Sequence, residues 1–279
     1  MLKIVLDTAG DLPEGWQAKY DIDLIPINII HEGKNYLQGI DISYEDFYKI
    51  VEEEGAIPST SQPSPHQFID FYRKTASKDD QIISIHVTEK LSGTMASCKQ
   101  AADELKGELN VTPFDSASGT IMMGMMAKEA RVMDRNGKSL PEIINRLVEI
   151  REQHRLVFTL DTMKFARMSG RIGNLQAALA SLLNVKPIIE LKKGELEMGE
   201  KVRSRSKSID LVLNKMKDTF KEQRLMAGVV FARDKQSGID LLQRVIENFN
   251  CEEAIIGELS ISLSAHFGPG TLGIGAYPV

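Results

Sequence analysis

The chain has 279 residues, 42% of them hydrophobic and 26% charged, with a formal net charge of -5. That length supports one large domain or two of ordinary size, and buries enough apolar surface to fold without a metal or disulfide. The acidic balance argues against a broad nucleic-acid-binding face, and no apolar run approaches the roughly 20 residues of a membrane-spanning helix.

The chain opens directly on a strand-like run, Lys3 to Leu6, which ends at Asp7. No basic segment followed by an apolar stretch marks a signal peptide, so a cytoplasmic location is expected. Leu24 to Ile30 reads as a second strand. Tyr44 to Glu54 has helical periodicity behind Ser43 as N-cap, and Pro65 to Ala76 reads as a helix behind Ser64 with proline at its first position. The pattern then alternates: strand Gln81 to Val87, helix Thr94 to Leu105, and strand Leu109 to Phe114 ending at Asp115. Helices Ser118 to Asn136 and Leu140 to His154 follow, separated by Asn136-Gly137. Alternating strands and helices imply a mostly parallel sheet flanked by helices, with ligands beyond the carboxyl ends of its strands. Asp7-Thr8, Ser92-Gly93-Thr94 and Asp115-Ser116 fall at such positions.

A second α/β unit begins near Arg155. Its expected elements are strand Leu156 to Leu160, helix Leu175 to Leu183, a hairpin of Pro187 to Leu191 with Glu195 to Val202 turning at Lys193-Gly194, and helix Ser208 to Gln223. Strand Met226 to Ala232, helix Ile239 to Asn248 and strand Ala254 to Leu259 complete it. No long linker separates the halves, so domains of 1–154 and 155–279 are expected to pack closely. Cys98 and Cys251 stand far apart and read as reduced core residues.

Several segments carry chemistry. Pro58-Ser59-Thr60-Ser61-Gln62-Pro63-Ser64 is a stiff hydroxyl-rich loop ahead of a helix start, a place that suits an anion, although a capped loop with nothing bound reads the same. Leu91-Ser92-Gly93-Thr94 also leads into a helix with small side chains, suiting a carboxylate or phosphate; an ordinary helix cap is the plain alternative. His266 precedes the Gly268-Pro269-Gly270 turn, which places it on a tight loop as donor, base or structural residue. Arg167 and Arg171 flank a turn, and Arg203 and Arg205 form a second pair beside Lys201; such guanidinium groups grip oxyanions or are merely solvated. Met122, Met123, Met125 and Met126 suit an adaptable apolar tunnel or a plain core helix. No P-loop or HExxH occurs, the glycines from Gly270 to Gly275 have the wrong spacing for a dinucleotide loop, and the histidines at 31, 66, 86, 154 and 266 show no metal-ligand spacing. No metal or cofactor is therefore expected. A Ser92, His266, Asp115 triad can be written down, but Ser92 lacks the flanking glycines of a nucleophile elbow.

Taken together, the segments resemble the DegV family. The matching pieces are Asp7-Thr8-Ala9-Gly10-Asp11-Leu12-Pro13, Thr60-Ser61-Gln62-Pro63-Ser64, Leu91-Ser92-Gly93-Thr94, Asp115-Ser116, Gly170-Arg171-Ile172, Lys186-Pro187, Lys201-Val202-Arg203 and His266-Phe267-Gly268-Pro269-Gly270. They occur in family order along nearly the whole chain. Thr8 replaces the commoner serine, and Phe267 stands where a threonine is common. The resemblance implies a two-domain α/β fold holding one long-chain fatty acid, such as palmitate or oleate, between or within the domains. It implies carboxylate binding by Thr60, Ser61, Ser92, Gly93 and His266, and a phosphate- or kinase-facing role for Arg171 and Arg203. It further implies a non-catalytic carrier that offers the carboxylate to a separate fatty acid kinase for acyl-phosphate formation, on the way to phospholipid, with only transient membrane contact. Burial of a sixteen-carbon tail contributes on the order of 12 kcal/mol at ~0.8 kcal/mol per methylene, offset by association costs of about 4 kcal/mol or more. Two other readings stay open at this point: an acyl hydrolase or thioesterase using Ser92 and His266, and a lipid-responsive regulatory protein without a kinase partner.

Overall fold

The computed structural model describes residues 1–170 and 185–279. The predicted helix Leu175 to Leu183 and Arg171 lie outside the described residues. Strands β1 (Leu2–Asp7), β2 (Ile22–Ile25), β6 (Gln81–His86) and β7 (Asn110–Asp115) form a four-stranded sheet in the order β2-β1-β6-β7. Every pairing in it is parallel. Near-continuous apolar runs make this possible: Ile4 and Leu6 face one side of β1 while Val5 faces the other, and all are buried. Helices α3 (Pro65–Thr75) and α4 (Thr94–Glu104) cover the Val5 side with Phe68, Tyr72, Cys98 and Ala101.

The expected single strand Leu24 to Ile30 is in fact two. Pro26 has no N–H and ends β2 at Ile25; β3 (Asn28–His31) then joins a separate antiparallel sheet with β4 (Lys34–Leu37) and β5 (Ser59–Ser61), in the order β4-β3-β5. Thr60 and Ser61 are thus strand residues, paired with Ile29 and Asn28. Helix α2 (Tyr44–Glu52) packs beneath this sheet through Phe47 and Tyr48. Its start at Ser43, like that of α3 at Ser64, is closed by a reciprocal capping box with the third helical residue.

A six-stranded sheet runs β10-β9-β8-β13-β11-β12, built from β8 (Arg155–Thr159), β9 (Lys186–Lys192), β10 (Glu195–Val202), β11 (Leu225–Phe231), β12 (Cys251–Glu258) and β13 (Leu272–Pro278). All its pairings are antiparallel except β11 with β12. The predicted hairpin turns at Lys193 and Gly194, which have φ of 49° and 82°. Side chains alternate along each strand: Val157 and Ile188 meet helices α8 (Arg205–Phe220) and α9 (Lys235–Asn248) on the outer face, while Leu156, Phe158, Ile189 and Leu191 point inward.

The glycine-rich C-terminal stretch, read only as too irregular for a nucleotide loop, is a central strand between β8 and β11. Its glycines record close approach, since a Cβ on Gly273 would lie 2.6 Å from the Phe158 Cβ. Helix α5 (Thr120–Arg135) lies between the four-stranded and six-stranded sheets, and α6 (Leu140–Gln153) packs beside it. One core cluster therefore runs continuously from Leu2 and Ile4 through Met122 and Met126 to Met226 and Tyr277. Gly124 permits the contact, because a Cβ there would sit 2.2 Å from the Asp11 carbonyl oxygen.

Candidate functional site

Residues from three distant segments meet at one cavity. It is lined by Thr60, Ser61 and Gln62 of β5 and its exit, Leu91 and Ser92 ahead of α4, and Ser262, Leu263, His266 and Phe267 of helix α10 (Ile261–Phe267). The Thr60 hydroxyl and His266 Nε2 are hydrogen-bonded at 2.9 Å. His266 sits in the last turn of α10 and not on the predicted loop; the loop begins only at Gly268, whose φ is 82°. The sequence hid this helix because Ile261, Leu263, Ala265 and Phe267 alternate with Ser262, Ser264 and His266, a strand-like period. The buried serines are satisfied instead by the surroundings: Ser264 Oγ donates to the Leu259 carbonyl at 3.1 Å, and Ser262 N–H donates to Gln38 Oε1 at 2.8 Å.

Ser92 borders the cavity with its hydroxyl 2.8 Å from Thr94 Oγ1. Gly93 is the residue before α4 and is not among the lining residues; its role is clearance, since a Cβ there would come within 2.6 Å of the Gln62 side-chain nitrogen. The histidine of a hydrolytic pair would rest on Ser92, whereas the observed partner of His266 Nε2 is Thr60. Asp115 lines neither this cavity nor the one behind it. Its Oδ1 accepts the Ala117 N–H at 2.9 Å, and burial raises its pKa above the ordinary carboxylate value.

A second, apolar cavity continues inward and shares Val87, Leu91, Leu263 and Phe267 with the first. Its far wall is the inner face of the six-stranded sheet, with Leu156, Phe158, Leu191, Leu196 and Val230, closed by Leu259. Ser118, Gly119 and Thr120 form the wall nearest the parallel sheet. The pair of cavities thus runs from hydroxyls and an imidazole at one end to aliphatic and aromatic side chains at the other, between the two halves of the chain. Met122, Met123, Met125 and Met126 line neither cavity; all are fully buried core between the sheets. Arg203 is exposed just beyond β10. Arg205 is half-buried at the start of α8, and burial lowers its pKa, opposed by Asp161 and Asp234.

Sequence reading put Asp7 at a strand end and Asp11 in the same motif, but missed that both are buried acidic centres. Asp7 accepts N–H groups of Ala9 and Val87 at 2.9 Å each and bonds His86 Nδ1 at 3.0 Å. Asp11 accepts the Ser260 N–H at 2.9 Å and the Thr120 hydroxyl, yet burial outweighs these bonds and pushes its pKa up to about 7. It borders a wider cleft on the opposite side of α10, between β12 and the Gln38–Ser43 turn. Among the described residues no group of three or more His, Cys, Asp and Glu is placed to hold a metal ion. Nor is any described helix long and apolar enough to cross a membrane.

A family model described as an uncharacterised protein of the DegV family matches residues 1–279. A DegV domain-containing protein of Deinococcus radiodurans is 30% identical over 280 residues, covering 100% of this chain and 99% of that protein. Among solved structures, a DegV family protein from Thermus thermophilus, described for its fatty acid binding, is 31% identical with a TM-score of 0.90, covering 100% of this chain and 99% of that one. A stearic acid-binding protein from Eubacterium ventriosum is 25% identical with a TM-score of 0.92, covering 100% of this chain and 98% of that one. The chain belongs to the DegV family.

Proposed function

Proceeding from that membership, we propose that this protein binds one long-chain fatty acid, with the carboxylate among Thr60, Ser61, Ser92, the Gly93 backbone and His266 and the tail in the apolar cavity behind them. The observation that carries this is the Thr60–His266 pair at the mouth of a cavity that turns wholly aliphatic and aromatic on its far wall. The tail supplies affinity through burial. The hydroxyls and imidazole supply orientation and keep the buried carboxylate hydrogen-bonded, without which its burial is prohibitive. The fatty acid proteins of Thermus thermophilus and Eubacterium ventriosum support the ligand class.

The protein serves as a carrier and not as an enzyme: a separate fatty acid kinase phosphorylates the bound carboxyl group, Arg171 and Arg203 face that kinase, and the acyl phosphate goes to phospholipid synthesis. Residues 1–154 and 155–279 act as the two halves that enclose the chain, in the cytoplasm, with membrane contact only transient. Native mass spectrometry of the purified protein, followed by lipid extraction, tests the first step; a stoichiometric fatty acid is expected, and failure to take up palmitate or oleate overturns it. Acyl-phosphate formation on adding a fatty acid kinase and ATP tests the second. Fatty acid binding without acyl phosphate would leave a lipid-responsive regulator, and turnover of an acyl ester abolished by Ser92→Ala would leave a hydrolase.

A further inference from the structure

The apolar cavity contains one discordant group. Ser118 is fully buried and lines it, and among the described residues its Oγ has no hydrogen-bond partner. The other hydroxyls of the lining are committed: Thr120 Oγ1 donates to Asp11, and Thr271 Oγ1 bonds the carbonyls of Phe267 and Gly268 at 3.1 and 2.8 Å. Thr159 Oγ1 is also buried and without a partner among the described residues. Strand alternation, however, turns Thr159 with Val157 toward the helix-covered face, away from Leu156 and Phe158.

The backbone beneath Ser118 is pinned. Its N–H donates to Ser116 Oγ at 3.1 Å, and its carbonyl accepts the Thr88 N–H at 2.8 Å. Ser116 Oγ donates in turn to the His86 carbonyl at 2.7 Å, and the Thr120 N–H donates to the Ala9 carbonyl at 2.8 Å. A hydroxyl on so fixed a segment cannot reach another partner by moving the chain. An alkane tail would leave it buried and unbonded, whereas a group on the ligand able to donate or accept would complete it.

We infer that the acyl ligand carries a hydroxyl on its carbon skeleton, and that Ser118 Oγ hydrogen-bonds it within the tail cavity, making Ser118 the residue that selects hydroxylated over plain fatty acids. This rests on the fatty-acid reading above. A site that pairs a substrate hydroxyl discriminates more strongly than a purely apolar one, because the unmatched analogue strands a buried polar group.

The test is a double-mutant cycle in solution. The delipidated full chain and its Ser118→Ala variant are titrated with stearate and with a panel of stearates hydroxylated at successive carbons. At one position the hydroxystearate-to-stearate affinity ratio is expected to be about 10-fold higher in the wild type than in Ser118→Ala. A ratio unchanged by the substitution at every position overturns the inference while leaving fatty acid binding intact. Failure of the wild type to bind stearate and every hydroxystearate overturns the fatty-acid reading and this inference with it.

Discussion

Two histidines, His86 and His266, are each hydrogen-bonded to a hydroxyl, and the surroundings of the two differ in kind. His86 is fully buried; its Nδ1 meets Asp7 at 3.0 Å and its Nε2 meets Ser84 Oγ at 2.7 Å. Tyr72 donates to the same Ser84 oxygen at 2.7 Å and lies 3.1 Å from Cys98 Sγ. Asp7 takes two backbone N–H groups besides. The chain itself satisfies that cluster, which borders neither cavity. His266 and Thr60 instead form part of a cavity wall beside Ser61 and Ser92. The same pair of functional groups sits within the packed interior in one place and lines a cavity in the other, and only the geometry of the neighbouring segments tells them apart.

The comparison is broken most severely at Asp7. Asp7→Ala would strand two backbone N–H groups and the His86 imidazole in a fully buried site, at a cost of roughly 3–5 kcal/mol in stability. Chemical denaturation measures it. If the two clusters have separate roles, the residual folded fraction should bind fatty acid with near wild-type affinity.

A smaller effect follows from pH. Burial opposes the charged form of His86, but Cys98 and Asp7 outweigh it and raise its pKa to about 9. A histidine raised in the folded state contributes stability that is full below its unfolded value, near 6.5, and is lost as pH rises through 9. Asp11, raised by burial to about 7, binds its proton more tightly folded than unfolded, so its contribution is lost between about pH 4 and pH 7. The two windows follow one another with the same sign, on the order of 3 kcal/mol for His86 and about 4 kcal/mol for Asp11. Asp11→Asn should remove the lower one and leave the upper. A wild-type-minus-variant stability difference that is flat from pH 4 to 7 would refute the assignment.

On the cavity side, His266→Ala should leave stability within about 1 kcal/mol and weaken fatty acid binding about 10- to 100-fold, the range for losing a hydrogen bond to a charged group. Equilibrium titration with palmitate checks it. Equal losses of stability and affinity would mean that His266, like His86, serves the fold.

How much of this was legible from sequence depended on range. Caps at Ser43 and Ser64 and the turn at Lys193-Gly194 are local, and the structure has them where the sequence placed them. The split at Pro26 was written in the sequence but outweighed by the apolar run around it. The α10 helix and the β13 strand were hidden because their stability is tertiary. One is a strand-like pattern forced into a helix against the Asn28–His31 and Ser59–Ser61 strands, and the other is a glycine-rich run held between two neighbours. Thr60, Ser61, Ser92 and His266 were individually weak signals, and the fold is what brings them to one cavity. The Asp7–His86 pair joins residues 79 apart in sequence and left no local signal at all.

Gly93 offers the finest test of the cavity's geometry. Its φ of -76° is open to any residue, so alanine there brings no backbone strain. The three atoms nearest the added Cβ all belong to the end of the Gln62 side chain, its nitrogen at 2.6 Å and its Cδ at 3.0 Å being the closest. That amide can swing aside at little cost, and the place left to it is the cavity that Gln62 already lines. Gly93→Ala should therefore change stability by less than about 1 kcal/mol, yet weaken fatty acid binding a few-fold by crowding the carboxylate end. Truncating Gln62 as well, in Gly93→Ala with Gln62→Ala, should restore part of that affinity. If Gly93→Ala alone binds as the wild type does, Gln62 has moved away from the carboxylate position, and the site lies further toward Ser61 and His266 than the clearance at Gly93 implies.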